Sequence, residues 1–145
     1  CGFRQCPMPD WNSALEMLRG KTFKAKLQEV NRYLNQNPYI LDPVNWGLAD
    51  YWATPKEFHI KSGDCEDYAI SKYMSLKALG VAAENMRIVV LMDHNLGIHH
   101  AVLSVHHNGR NYILDNQIQN VIEDNQVYHY QPIYSINEYA WWRHR

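Results

Sequence analysis

The sequence lacks the features that mark membrane-spanning and nucleic-acid-binding proteins. No apolar run approaches the roughly 18 residues that a membrane-spanning helix needs. Lys and Arg form no stripe, and the formal net charge is −1, so no basic surface is available for a nucleic acid. We therefore expect a soluble protein without membrane insertion and without a nucleic-acid partner.

Cysteine is also scarce, and three cysteines cannot form a disulfide framework. Cys1 and Cys6 are spaced to pair across a short loop, and Cys1 before Gly2 also fits a lipid-modified first residue or an arbitrary start of the chain. Because the N-terminus has no basic and apolar regions of a signal peptide, we expect a mature or trimmed form. Cys65 has no evident mate, which makes it a candidate reactive thiol.

The length of 145 residues fits one domain, residues 1–145. Apolar spacing predicts three helices, namely Ser13 to Arg19, Thr22 to Asn35 and Cys65 to Gly80. Strand-like runs follow at Arg87 to Met92, Ala101 to Val105, Tyr112 to Asp115 and Tyr128 to Tyr134. Helices followed by an antiparallel meander predict an α+β fold with a central helix packed on the sheet.

The segment Gly63-Asp64-Cys65-Glu66-Asp67 places a cysteine among carboxylates at a predicted helix start. The unpaired N–H groups and the positive end of the helix dipole favour a thiolate at such a position. Acidic residues also suit a helix start, so the alternative is an acidic cap with a bystander cysteine.

A nucleophilic thiolate needs a nearby base that a third group orients. Asn108-Gly109 predicts a two-residue hairpin turn, and the resulting register makes His100 a diagonal neighbour of Asp115 on one sheet face. His99 then points to the other face. A turn longer or shorter by one residue would favour His99 instead.

Several motifs together resemble the bacterial transglutaminase-like cysteine proteinases, over roughly Trp11 to Trp142. They are Trp46-Gly47, Asp50-Tyr51-Trp52-Ala53-Thr54-Pro55, Glu57-Phe58, Gly63-Asp64-Cys65-Glu66-Asp67-Tyr68-Ala69-Ile70, Lys72-Tyr73, Leu76-Lys77-Ala78-Leu79-Gly80, His100-Ala101-Val102-Leu103 and Leu114-Asp115-Asn116. The resemblance implies a papain-like core and a catalytic triad of Cys65, His100 and Asp115. It also favours His100 over His99 without using the hairpin register.

The same resemblance implies a periplasmic, calcium-dependent cysteine endopeptidase. The implied substrate is a very large cell-surface adhesin, cut next to small residues in its N-terminal region, which releases the adhesin and disperses biofilm. The implied regulatory partner is an inner-membrane receptor for cyclic-di-GMP that sequesters the protease when the nucleotide is abundant.

Calcium is consistent with the acidic residues around the cysteine. Two carboxylates beside a thiol raise its pKa, and a hard divalent cation reverses that effect. Calcium takes six to eight oxygen ligands, so Asp64 and Glu66 would need carbonyls, waters or another carboxylate such as Asp50. Zinc is not expected, because no His and Cys cluster has its ligand spacing.

Three other interpretations stay open from the sequence. The same triad could transfer an acyl group to an amine, as a transglutaminase does. The chain could be a binding module that kept the fold without activity. It could also be a structural domain in which Cys65 only packs.

Overall fold

A computed structural model of the chain describes residues 11–36, 64–137 and 139–144. In these ranges the helices are α1 (Trp11–Leu18), α2 (Phe23–Gln36) and α3 (Asp64–Ala78). All three fall on predicted helices. The connection between α2 and α3, residues 37–63, lies outside the described residues.

Local capping explains where α2 begins and α3 ends. Thr22 precedes α2, and its Oγ1 accepts a hydrogen bond from the N–H of Ala25 at 3.2 Å, which satisfies one unpaired N–H of the first turn. Gly80 follows α3 with φ of 98°, and the Val81 N–H donates to the Leu76 carbonyl at 3.0 Å. Glycine is needed there because other residues rarely adopt positive φ. The predicted stop at Gly80 is confirmed.

The described strands form one six-stranded antiparallel sheet in the order β4-β3-β2-β1-β5-β6. Their bounds are Met86–Asp93 (β1), Ile98–His107 (β2), Arg110–Asp115 (β3), Ile118–Glu123 (β4), Tyr130–Ile136 (β5) and Trp141–Arg143 (β6). Strands β1 to β4 form a meander, and the chain then returns to pair β5 with the free side of β1. The predicted α+β fold is confirmed, and the meander accounts for four of its strands.

The predicted hairpin register is confirmed. His107 pairs with Arg110, and the pairing continues without a shift to Leu103 and Leu114. Asn108 and Gly109 have φ of 53° and 79°, as a two-residue turn with positive φ at both positions requires. The turn therefore fixes which side chains of β2 and β3 share a face.

One predicted strand is displaced, and two strands were missed. The strand predicted at Tyr128 to Tyr134 occupies Tyr130–Ile136 instead, because residues 128–129 form a turn in which the His129 carbonyl accepts the His94 N–H at 2.8 Å. Strand β4 was missed because its amide side chains obscure the apolar alternation. Strand β6 has only three residues, too few to give a pattern.

The core lies between α2, α3 and one face of the sheet. Its buried apolar residues include Leu27, Val30, Leu34, Tyr73, Leu76, Val90, Leu103 and Leu114. Helix α3 also buries the polar side chains of Ser71, Lys72 and Ser75, so its middle is covered on more than one side. This confirms the prediction that α3 is the central helix.

A smaller apolar cluster of Leu91, Val102 and Ile113 is buried on the opposite sheet face. His100 pairs with Leu91 and alternates with Val102 along β2, so it belongs to this second face. Among the helices that the structure describes, none is long and apolar enough to cross a membrane.

Candidate active site

His100 and Asp115 form a buried hydrogen-bonded pair. The His100 Nε2 lies 2.8 Å from the Asp115 Oδ1, and the two residues are 2% and 1% exposed. His100 comes from β2, whereas Asp115 is the last residue of β3. The two side chains that the hairpin register predicted to be neighbours are thus in direct contact, and His99 is exposed on the other face.

This contact defines the form of the imidazole. A carboxylate only accepts hydrogen bonds, so the His100 Nε2 carries the hydrogen and donates it to Asp115. In the neutral ring the Nδ1 then holds the lone pair. A histidine held in one tautomer by a carboxylate is what a general base requires.

The turn after β3 holds the Asp115 carboxylate and its backbone. The Gln117 N–H donates to Asp115 Oδ1 at 2.8 Å, which forms the local turn expected where an aspartate ends a strand. From α2, the Asn35 Nδ2 donates to the Asp115 carbonyl at 3.1 Å. The side chain and the backbone of Asp115 are therefore fixed by two different elements.

The balance of charge and burial keeps Asp115 ionised. Burial alone raises its pKa, but the hydrogen bond and charge of His100, the Tyr130 hydroxyl and the Gln117 N–H together lower the pKa below its ordinary value. The pair therefore favours an anionic Asp115, which in turn stabilises a protonated His100.

Lys72 of α3 is a buried lysine whose pKa responds to the charge of Asp115. Its side chain is 1% exposed, and its Nζ lies 5.6 Å from the ring centre of Tyr68. Burial lowers the pKa of Lys72 to about 7, while the charge of Asp115 acts to raise it. Sequence reasoning missed this residue because an exposed lysine is the usual expectation in a helix.

The third predicted catalytic residue, Cys65, is the second residue of α3. Helix α3 packs against β2 and β3, the two strands that carry His100 and Asp115. The side chains of Cys65, Asp64 and Glu66 lie outside the described part, as does Asp50. The predicted roles of these four residues stay predictions.

The predicted calcium ligands can be judged on donor chemistry. Asp64 begins α3 and Glu66 lies in its first turn, and carboxylate oxygens are the ligands that calcium prefers. Among the side chains that the structure describes, which do not include those of Asp64, Cys65 and Glu66, no cluster of three or more His, Cys, Asp or Glu suited to a metal occurs.

Other described histidines have contacts away from the His100–Asp115 pair. His106 contacts the Asn111 side chain at 3.0 Å, His94 contacts Gln131 at 2.7 Å and His144 contacts Ser135 at 2.7 Å. The ring of His107 stacks on Phe23 at 3.7 Å between centres. These contacts give each of the four histidines a structural partner.

A cavity of about 520 Å³ opens on the sheet face that carries His100. Leu91, Val102 and Ile113 contribute apolar lining, and Ser104 and His106 contribute polar groups. Tyr130 lines the same cavity and hydrogen-bonds Asp115. Tyr130 therefore links the pair to this cavity, although neither His100 nor Asp115 is among the described residues that line it.

A helix with a cysteine in its first turn, packed on an antiparallel sheet that carries a buried His–Asp pair, is the arrangement of papain-like cysteine peptidases. The family described as bacterial transglutaminase-like cysteine proteinase, BTLCP, matches residues 4–144. The chain belongs to this family, and it is a cysteine proteinase by that membership. The family prediction from the sequence motifs is confirmed.

Solved structures of LapG from Legionella pneumophila are similar over most of both chains. One shares 34% identity, covers 92% of this chain and 74% of its own, and superposes with a TM-score of 0.71. An EGTA-treated LapG gives 33% identity, coverage of 93% and 74%, and a TM-score of 0.72. A calcium-bound LapG gives 32% identity, coverage of 96% and 82%, and a TM-score of 0.72. No curated protein matched the chain.

Proposed function

We propose that this chain is a calcium-dependent periplasmic cysteine endopeptidase that cuts the N-terminal region of a large cell-surface adhesin. The buried His100–Asp115 pair is the observation that carries the catalytic part of the proposal. Membership in the cysteine proteinase family and similarity to LapG support it. Cys65 in the first turn of α3 is the proposed nucleophile.

In the proposed mechanism, His100 takes the proton of the Cys65 thiol through its Nδ1, because Nε2 is committed to Asp115. The thiolate attacks the peptide carbonyl, and His100 returns the proton to the leaving amine. Water then hydrolyses the thioester, with His100 again acting as base. Asp115 holds the tautomer and stabilises the charged imidazole throughout both steps.

The helix start contributes electrostatics. The N–H groups of the first turn of α3 lack partners within the helix, so the Cys65 N–H is a candidate donor to the oxyanion of the tetrahedral intermediate. The helix dipole also favours the thiolate.

Calcium binding is proposed for Asp64 and Glu66, with Asp50 as a further carboxylate ligand. The supporting observations are the oxygen chemistry of these residues and the calcium-bound and EGTA-treated structures of LapG. When bound, calcium would offset the two negative charges beside Cys65, which otherwise oppose ionisation of the thiol.

The regulatory part of the proposal follows from the family resemblance. The proposed partner is the periplasmic domain of an inner-membrane cyclic-di-GMP receptor, which holds the protease away from the adhesin. Loss of the nucleotide would then free the protease and promote biofilm dispersal. Similarity to LapG supports this assignment as a proposal for the present chain.

The test is cleavage of a recombinant N-terminal fragment of a candidate adhesin by the purified chain, with calcium or with EGTA. We expect cleavage with calcium, loss with EGTA and loss in Cys65→Ala, while Cys6→Ala serves as the matched cysteine control. Retained proteolysis in purified Cys65→Ala would exclude the nucleophile. Incorporation of a fluorescent primary amine in place of hydrolysis would instead indicate acyl transfer.

A further inference from the structure

Tyr130 contacts both members of the buried pair. Its hydroxyl donates a hydrogen bond to the Asp115 Oδ2. Its ring lies edge-on to the His100 imidazole, with 5.9 Å between ring centres and 66° between planes. Tyr130 begins β5, which lies on the far side of β1 from β2. Tyr130 therefore contacts side chains of β2 and β3 from a strand that is adjacent to neither of them.

We propose that Tyr130 is a positioning residue of this site, which holds Asp115 and His100 in the orientation needed for proton transfer. The inference rests on the proposed function, because orientation of the base matters only if His100 acts as one. It goes beyond the triad, since neither the sequence motifs nor the family resemblance assigned a role to Tyr130.

The hydroxyl fixes the rotation of the carboxylate. Asp115 Oδ1 accepts from His100 Nε2 and from the Gln117 N–H, both at 2.8 Å. Tyr130 holds the other oxygen, Oδ2. With both oxygens engaged from different directions, the carboxylate stays aimed at His100, and hydrogen bonds to a charged group are among the strong ones in proteins.

The ring restrains the imidazole from a second direction. An edge-on aromatic contact at this distance is favourable, and Tyr130 also packs against His129 with 4.5 Å between ring centres. Removal of the hydroxyl alone should leave these ring contacts in place, so the two effects can be separated.

Tyr130 stays a hydrogen-bond donor over the working range of pH. Burial raises the pKa of its hydroxyl, and the hydrogen bond and charge of Asp115, followed by the charge of Asp93, raise it further. A neutral tyrosine therefore faces an anionic aspartate, which is the arrangement that a donated hydrogen bond requires.

The experiment compares Tyr130→Phe with Tyr128→Phe, a matched control because Tyr128 is 90% exposed and lies two residues away. Nitrogen NMR of the His100 ring reports its tautomer. Alkylation by iodoacetamide, read by mass spectrometry of the Cys65 peptide, reports activation of the thiol. Thermal unfolding checks that each variant is folded.

Wild type and Tyr128→Phe are expected to show one His100 tautomer with hydrogen on Nε2. In Tyr130→Phe we expect a mixture of tautomers and an alkylation rate lower by about tenfold at neutral pH, as loss of one charge-assisted hydrogen bond predicts. A Tyr130→Phe protein with the wild-type tautomer and the wild-type alkylation rate would overturn the inference.

Failure of the proposed function has a different signature. A wild-type Cys65 that reacts no faster than an ordinary thiol would overturn the proposed function, and the wild-type arm alone would reveal it. The tautomer comparison between Tyr130→Phe and Tyr128→Phe would still decide whether Tyr130 positions His100.

Discussion

Asp115 and Asp93 are buried aspartates that end strands β3 and β1 of the same sheet. The carboxylate of each accepts a hydrogen bond from the backbone of the turn that follows. Asp115 Oδ1 accepts the N–H of Gln117 at 2.8 Å, and Asp93 Oδ1 accepts the N–H of Asn95 at 2.9 Å. Each residue ends a strand, β3 or β1, and each is about 1–2% exposed. The two carboxylates therefore make equivalent hydrogen bonds within their turns.

The histidine nearest each aspartate differs in its distance from the carboxylate and in its burial. His100 hydrogen-bonds Asp115 at 2.8 Å, and both side chains are buried. His129 approaches Asp93 only to 4.0 Å, and its side chain is 32% exposed. A separation of 4.0 Å is too long for a hydrogen bond. In both places the turn holds a buried carboxylate, whereas only the register of β2 and β3 places a histidine within hydrogen-bond distance of it.

The largest predicted difference concerns the two histidines. His100→Ala should lower cleavage of the adhesin fragment by about 10³-fold, because the base and its proton transfer are lost. His129→Ala should change the rate by less than about threefold, since the partly exposed His129 side chain approaches Asp93 only to 4.0 Å and otherwise lies edge-on to the Tyr130 ring. Initial rates of fragment cleavage measure both. Equal losses in the two variants would remove the distinction between the pairs.

The aspartates are expected to differ by a smaller factor. Asp115→Asn should lower cleavage by about 10²-fold, because an amide stabilises the charged imidazole poorly and permits the wrong tautomer. Asp93→Asn keeps an oxygen that can accept from Asn95, so its main effect should be a loss of about 1 kcal/mol in unfolding free energy. Kinetics and urea unfolding of both variants check this. Full activity in Asp115→Asn would contradict the assignment.

Lys72 sharpens the comparison because its pKa responds to the charge of Asp115. Its folded pKa of about 7 lies below its ordinary 10.5, so unfolding takes up a proton between these values and stability rises with pH. We expect the free energy of unfolding to rise by about 2 kcal/mol between about pH 7 and pH 9 from this group. That rise should be absent in Lys72→Met.

Denaturant unfolding at several pH values measures this slope. Lys77→Met, on an exposed position of the same helix, is the control and should keep the wild-type slope. An unchanged slope in Lys72→Met would show that Lys72 is not held in the neutral form by burial.

The smallest predicted effect concerns the backbone of Asp115. Asn35→Ala removes the donor to the Asp115 carbonyl and should cost about 1 kcal/mol of stability with a two- to fivefold loss of cleavage rate. Gln28→Ala removes the acceptor of the Val121 N–H in β4, so it should cost similar stability without the loss of rate. Parallel losses of rate in both variants would indicate a general loosening of the sheet.

Much of the fold and part of the site could be predicted from the sequence because the signals are local. Apolar spacing located the helices, and Asn108-Gly109 fixed the register that brings His100 beside Asp115. The edge strand β4 escaped prediction because its amide side chains obscure the apolar alternation, and besides pairing with β3 its backbone bonds the amide side chains of Gln28 and Asn31 in α2. Such pairing depends on tertiary contacts that no local pattern encodes.

Tyr130 and Lys72 escaped for the same physical reason. Tyr130 reaches Asp115 from β5, and the position of β5 beside β1 follows from a crossing that the meander did not predict. Lys72 is buried by the packing of α3, which its polar character does not suggest. Both contacts arise from how the elements assemble.

The most direct test of the central claim is the alkylation rate of Cys65 in wild type, His100→Ala and His129→Ala near about pH 6, where an ordinary thiol with a pKa of about 8.5 is almost fully protonated. Mass spectrometry of the Cys65 peptide excludes Cys1 and Cys6 from the signal. We expect fast alkylation of Cys65 in wild type and in His129→Ala, and an alkylation rate lower by at least about tenfold in His100→Ala. Slow alkylation in wild type, or a rate that His100→Ala leaves unchanged, would contradict it.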